Sequence, residues 1–262
     1  MTSLVVGIAL DRGWLKDIDA PVFSFFPEYA DLRTPEKDRI TVRHLLTMSA
    51  GFAWDESLPY SNPANSERPM DDAADPYRYI LQQPLAATPG TVYNYCGCSA
   101  VLLEAILKRT AGKPLDALAQ ETLFDPLGIA DVEWVRFPNG DVLGHGGLRL
   151  RPRDFAKIGQ LVLDHGVWQG RQIVPVSWIE QSISPQINGE GTFFYGYQWW
   201  LGRSLVERRE IDWAAGFGWG GQRLYVVPAN GLVVAIYAGA YGRSQVVGTT
   251  VLNRYVWPAV AR

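Results

Sequence analysis

Tyr95 sits in the stretch Thr88-Pro89-Gly90-Thr91-Val92-Tyr93-Asn94-Tyr95-Cys96-Gly97, whose residue types and spacing allow chemistry. A Pro-Gly turn feeds a β-branched and aromatic run that breaks at a glycine. The apolar helical pattern Val101-Leu102-Leu103-Glu104-Ala105-Ile106-Leu107 follows. A tyrosine held where a loop runs into a helix can present its phenol to a cleft while the helix packs against the body. An aromatic plug over a core gives the same pattern, and so short a motif does not by itself separate the two.

Metal chemistry is not indicated. The three histidines, His44, His145 and His165, are scattered, with none spaced as a ligand pair. His145, in a glycine-rich bend, faces either a cleft or solvent. The two cysteines, Cys96 and Cys98, are one residue apart. A disulfide across that spacing is expected to be strained, and a lone Cys-x-Cys makes a poor zinc site.

The net charge of -3, without a Lys/Arg cluster, leaves no footprint for nucleic acid. No apolar run approaches the roughly 20 residues that span a bilayer, so no membrane partner is expected. Residues 1–10 are apolar but have no basic leader and no small-residue cleavage site, which predicts a buried helix rather than a signal peptide. A complete chain of this kind would be cytoplasmic. With 47% hydrophobic and 19% charged residues, the 262-residue chain can bury a core as one large domain or two lobes.

These residues need elements to position them. Thr41 is a plausible N-cap for a helix carrying Leu45 and Leu46, and Asp71 to Gln83 reads as a further helix. Residues 53–70, rich in Pro, Ser, Asn and acids, read as a surface loop. After the helix over 99–111, Gly112-Lys113-Pro114 starts another through Leu115, Leu118, Ala119, Leu123 and Phe124. Helices follow from Pro152 and over Pro175 to Ile183. From about residue 195 the period becomes strand-like, in Gln198 to Leu201, Gln222 to Val227 and Leu232 to Ala238. Pro228-Ala229-Asn230-Gly231 reads as a hairpin between the last two, and Val246 to Val260 as a helix covering the sheet. Helices first, then an antiparallel sheet, predict an α+β fold with a mostly helical lobe over about 1–190 and a sheet lobe over about 191–262.

Four stretches agree in order and interval with one family. They are Ile40-Thr41-Val42-Arg43-His44-Leu45-Leu46-Thr47-Met48-Ser49-Ala50-Gly51-Phe52, the Tyr95 segment, Leu123-Phe124-Asp125-Pro126-Leu127-Gly128-Ile129, and Gly216-Phe217-Gly218-Trp219-Gly220-Gly221-Gln222. Together they resemble the penicillin-recognising serine hydrolases: class C β-lactamases, D-alanyl-D-alanine peptidases, family VIII carboxylesterases and nylon-oligomer amidases. The resemblance implies one β-lactamase/transpeptidase-like domain over 1–262, an antiparallel sheet flanked by helices. It also implies acyl-enzyme chemistry on a small ester, amide or β-lactam, with no cofactor, and leaves the oligomeric state open. Tyr95 matches the family tyrosine that acts as base and then as acid. Trp219, Gly220, Gly221 and Gln222 match the strand motif beside the oxyanion hole, in its esterase-like form; either Trp219 or Gln222 would donate the amide. Gly97 stands where β-lactamases carry asparagine, a departure that favours an esterase. Gly97, Tyr195, Trp199 and Trp200 are the candidate substrate contacts, although a Trp pair at a strand start is more often core.

The family's Ser-x-x-Lys is missing. Neither Ser3 nor Ser49 has lysine three residues on; those positions are Val6 and Phe52. In relatives the motif immediately precedes a stretch like Thr2 to Leu10, so the chain is expected to be truncated at its N-terminus. The family's first helix and strands would be missing with it, and residues 1–262 alone would be inactive. The alternatives are a β-lactamase or D-alanyl-D-alanine peptidase, and a non-catalytic remnant that binds through the same cleft.

Overall fold

The structure is a computed structural model that describes residues 1–241 and 246–260. By its contacts the chain divides into two units, Met1–Arg149 and Leu150–Arg262. No helix among the described residues is long and apolar enough to cross a membrane.

The first unit is built on two buried helices. Helix α1 (Thr2–Asp11) buries Thr2 to Ala9 on all sides, as its unbroken apolar pattern requires. It packs on α5 (Gly97–Ala111), which is buried from Gly97 to Leu107 and ends at Gly112 in the left-handed conformation, φ 71°. Helix α2 (Val42–Leu46) carries the expected Thr41 cap. The Thr41 hydroxyl accepts from the His44 amide, and the Thr41 amide donates to His44 Nδ1 at 3.2 Å. The helix expected over 71–83 is α4 (Pro76–Leu81), and a short helix α3 (Glu67–Asp71) with buried Glu67 and Met70 stands at the end of the stretch 53–70 that was expected to be a surface loop. Asp75 caps α4 through the Arg78 amide, and Pro76 opens it because its missing N–H costs nothing there. Helix α6 (Leu115–Ala119) continues as a π-helical turn, and its five predicted core residues are all buried. A two-residue ladder, β1 (Glu133–Trp134) with β2 (Leu148–Arg149), closes the unit.

The second unit is an antiparallel sheet with helices against it. Its strand order is β10-β9-β8-β7-β6-β5, running from β5 (Ile187–Asn188) and β6 (Phe194–Tyr195) through β7 (Trp200–Val206), β8 (Arg209–Phe217), β9 (Arg223–Val227) and β10 (Leu232–Ile236). The predicted hairpin joins β9 to β10, with Gly231 at φ 58° completing its turn. Strand β8 was not expected. It pairs with β7 through a tight turn at Glu207 and Arg208, both left-handed at φ 48° and 67°. Neither residue type announces such a turn, which usually calls for Gly or Asn. Helix α7 (Pro152–Leu163) packs on β9 and β10; a small ladder, β3 (Val167–Trp168) with β4 (Arg171–Gln172), and α8 (Val176–Ser182) follow it. The C-terminal helical segment, α9 (Val246–Val251), a π turn and α10 (Trp257–Val260), covers one sheet face as predicted. Leu252 and Trp257 pack there with Ile211, Trp213, Tyr225 and Val227. Of the predicted helix, all of Val246 to Val260 lies within the described residues.

Gly51 ties the α2 segment to the Tyr95 segment. It sits at φ 87°, its carbonyl accepts from the Ala86 amide at 2.8 Å, and a Cβ there would collide with the Ala87 carbonyl oxygen. Gly112 shares the left-handed conformation but has open space around it. Gly112→Ala should therefore cost about 1 kcal/mol, the conformational term alone. Gly51→Ala should cost about 3 kcal/mol or more, because backbone must also move. Urea denaturation of both variants checks the difference; equal losses would show that the Ala87 contact is not constraining.

Candidate active site

Tyr95 lies just before α5, as the sequence predicts, and is 38% exposed. Its segment is fixed by backbone pairing to the residues after α2. The Gly90 amide donates to the Ser49 carbonyl and the Asn94 amide to the Met48 carbonyl, both at 2.8 Å. The Asn94 side chain adds a bond to the Trp54 carbonyl at 3.0 Å. Two of the motif stretches thus form one assembly whose product is the position of the tyrosine. Cys96 and Cys98 are joined in a disulfide, which corrects the expectation against one. Cys96 is extended at φ -147° while Gly97 begins the helix, so the two Cα atoms are only 5.1 Å apart.

A buried acidic group adjoins this point. The Gly97 amide, first in α5, donates to Glu56 Oε1 at 2.5 Å, and the Trp54 indole donates to the same oxygen at 2.5 Å. Glu56 in turn is hydrogen-bonded to Glu67. Glu67 accepts from the Tyr60 hydroxyl and faces His145 Nε2 at 2.9 Å, with Asp71 3.3 Å from the same nitrogen. The electrostatics follow from that crowding. Burial, then the Glu67 carboxylate, pushes Glu56 up to about 8. Burial opposes charge on His145, but bonds to Asp71 and Glu67 outweigh it and push the imidazole up to about 10. Burial raises the Tyr95 phenol above its ordinary value, and the carboxylates of Glu56 and Glu67 raise it further.

The ligand atoms of Glu67, Asp71 and His145 all lie within 4.8 Å of one another, a spacing a divalent cation can bridge. His145 Nε2 faces both carboxylates, and its bonds to them favour the charged imidazole, a form that does not ligate a metal. The arrangement is an ion-paired anchor, and His145 is neither in solvent nor a loose loop residue; its side chain is 8% exposed.

In the second unit the motif 216–222 forms a tight turn between β8 and β9. The Gly218 amide donates to the Gln222 carbonyl, the Gly221 amide to the Gly218 carbonyl, and the Gly220 amide to the Gln222 side chain at 3.0 Å. Those amides are used inside the turn. Trp219 is 51% exposed and its ring stands 5.2 Å from that of Tyr241. The substrate contacts expected of Tyr195 and Trp199 need correction. Both are buried in the core, and Trp200 packs between Tyr195 and Phe217, because aromatics at a strand start gain most by packing.

The beta-lactamase family model matches residues 1–250. The chain belongs to the beta-lactamase family. This beta-lactamase-family chain is 26% identical to the 6-aminohexanoate-dimer hydrolase of Paenarthrobacter ureafaciens, over 89% of its own length and 62% of that protein's. It therefore spans less than two thirds of that relative. Its fold is similar to the octameric penicillin-binding protein homologue from Pyrococcus abyssi, with a TM-score of 0.71 at 19% identity, covering 100% of this chain and 64% of the other. It is also similar to a family VIII carboxylesterase, with a TM-score of 0.67 at 17% identity, covering 97% and 80%. The fold is thus β-lactamase/transpeptidase-like.

Glu56, Glu67 and Asp71 were not found by reading the sequence. Glu67 and Asp71 stand four apart, a spacing that puts both on one helix face, but nothing pairs them with His145 in advance. The cluster predicts a pH dependence. Unfolded His145 titrates near about 6.5, so its stabilisation is complete below that pH and is lost as pH rises through about 10. Glu56, pushed up to about 8, penalises the folded state progressively above its ordinary value of about 4.5. Both effects lower stability as pH rises. The urea midpoint should fall between pH 6.5 and 10, and His145→Gln should flatten that fall while lowering the midpoint at neutral pH. An unchanged slope in the variant would show that His145 is not the titrating group.

Proposed function

We propose that this protein is a serine hydrolase that cleaves small esters or amides through an acyl-enzyme, with esters preferred. Tyr95 is assigned as the residue that relays the proton, and the Trp219-Gly220-Gly221-Gln222 turn as the oxyanion side. Relatives named as a dimer hydrolase and a carboxylesterase fit this class. The preference for esters over β-lactams rests on Gly97. A Cβ at this position would stand 3.2 Å from Glu56 Oε1 and 3.2 Å from His145 Cβ and Cδ2. An asparagine, the β-lactamase residue, is crowded there, and Glu56 and His145 must shift to admit it.

The same cluster sets a requirement. A phenol acts as a base only when a cation stabilises its anion, and Glu56 and Glu67 act in the opposite direction on Tyr95. The ammonium of a Ser-x-x-Lys lysine would reverse that balance. No serine in the 262 residues has lysine three positions on. The nucleophile and its lysine are therefore proposed to lie outside these residues, and residues 1–262 alone to leave Tyr95 protonated and the chain inactive.

The test begins with the in-frame DNA upstream of codon 1, followed by assay of the gene product that it encodes. Ser-x-x-Lys in that reading frame, with turnover of short acyl esters and little turnover of nitrocefin, is the expected result. Efficient nitrocefin hydrolysis would move the assignment to the β-lactamase branch. Binding of acyl compounds without turnover would leave a ligand-binding remnant. In the active form, Tyr95→Phe should lower kcat by about a hundredfold or more without loss of stability. Near-normal turnover in that variant would remove the role given to Tyr95.

A further inference from the structure

Trp54 and Glu56 lie far from Tyr95 in the chain, yet together they hold both of its flanks. The Trp54 carbonyl accepts from the side chain of Asn94, the residue before Tyr95, at 3.0 Å. Glu56 Oε1 accepts from the amide of Gly97, two residues after Tyr95, and from the Trp54 indole, both at 2.5 Å. Gly97 opens α5, and the capping residue Cys96 makes no side-chain bond to the helix, its sulfur being joined to Cys98. The orphan first amide of that helix is therefore served by Glu56, from 41 residues back.

The hydrogen bond between Glu56 and Glu67 requires a proton. Two carboxylates have no donor between them, so one member of the bonded pair is an acid. Glu67 accepts from the Tyr60 hydroxyl and faces the His145 imidazole, the surroundings of an anion. Glu56 instead meets two N–H groups on one oxygen, which leaves its other oxygen for the proton. We propose that Glu56 is a positioning residue: a neutral acid whose carbonyl clasps Gly97 and Trp54, and whose hydroxyl donates to Glu67, fixes the stretch that presents Tyr95. Burial and then the Glu67 carboxylate disfavour charge on Glu56 and outweigh the two N–H bonds that favour it. A glutamine offers the same carbonyl with an N–H in place of the O–H. Leucine offers neither, and aspartate is one carbon too short to keep the reach. Held neutral, Glu56 also adds no negative charge beside a phenol that a carboxylate there makes harder to ionise. For its catalytic consequence the inference rests on the hydrolase reading.

The experiment compares wild type with Glu56→Gln, Glu56→Asp and Glu56→Leu in the full gene product, by kinetics, crystal structures and infrared spectroscopy. Glu56→Gln is expected to keep kcat within about threefold, while Glu56→Leu and Glu56→Asp lower it about a hundredfold with KM within about twofold, the effect of a small misplacement at the reacting group. The structures should show Tyr95 and the Gly97 amide in place in Glu56→Gln and displaced in Glu56→Leu. A carboxylic-acid carbonyl band of the wild type at neutral pH should be lost in Glu56→Gln. If the wild type turns over no ester or amide, the functional reading fails, while the structures and the infrared band still decide the positioning claim. If Glu56→Leu keeps kcat and leaves Tyr95 in place, or if no band is lost in Glu56→Gln, the inference is overturned. It is overturned equally if Glu56→Gln loses as much kcat as Glu56→Leu, because the acid itself would then be required. Should Glu56→Leu fail to fold, Glu56→Asp carries the comparison, since it keeps the acid and gives up the reach. An unchanged kcat with an unmoved Tyr95 in that variant would overturn the inference.

Discussion

The first unit depends on one buried cation. His145 is the cation that faces Glu67 and Asp71 and holds the Glu67 carboxyl below its ordinary value, and Glu67 in turn raises Glu56. Removing one partner of a buried pair costs far more than the pair is worth, because an uncompensated charge stays behind. Three separate pieces of chain are committed by this balance: the segment with Trp54 and Glu56, helix α3 with Glu67 and Asp71, and the bend with His145. They meet at the amide of Gly97, one residue into the helix that follows Tyr95. The tyrosine owes its place to that junction as much as to the Pro-Gly turn before it.

The second unit solves a different problem by a related means. A turn built from glycines has little side-chain packing to hold it, so its shape must come from hydrogen bonds. The Gly218, Gly220 and Gly221 amides are spent within the turn, and Arg223 ties its two ends from below. Gln222 adds a bond to the Ala238 carbonyl at 2.8 Å, fastening the turn to the segment after β10. Glycine gives the close backbone approach, and arginine and glutamine restore the rigidity that glycine removes.

Features marked by a local signal were legible in the sequence. Thr41 stands at the right place for a cap, residues 2–9 are apolar all round, and Pro228 to Gly231 spells a turn between two β-branched runs; all three appear as expected. The family itself was legible because four separate stretches agreed in order. Strand β8 was hidden because charged residues at 207–212 mask the alternation of Ile211, Trp213 and Ala215. Its turn uses Glu207 and Arg208 in a conformation that their types seldom mark. Helix α3 was hidden because the Pro, Ser, Asn and acidic residues over 53–70 read as a loop. The acidic cluster was invisible for a deeper reason. Its members are brought together by the fold, and no spacing in the chain relates Glu56 to His145.

The cluster also bears on the proton-relay role proposed for Tyr95. A tyrosine beside two carboxylates is a poor base on its own, since each negative neighbour makes the phenolate harder to form. A cation close to the phenol, such as the lysine ammonium of the proposed hydrolase, would stabilise the phenolate against those carboxylates. Gly97 belongs to the same cluster: its amide holds the Glu56 carboxyl at the helix N-terminus, where the amide dipoles favour an acceptor.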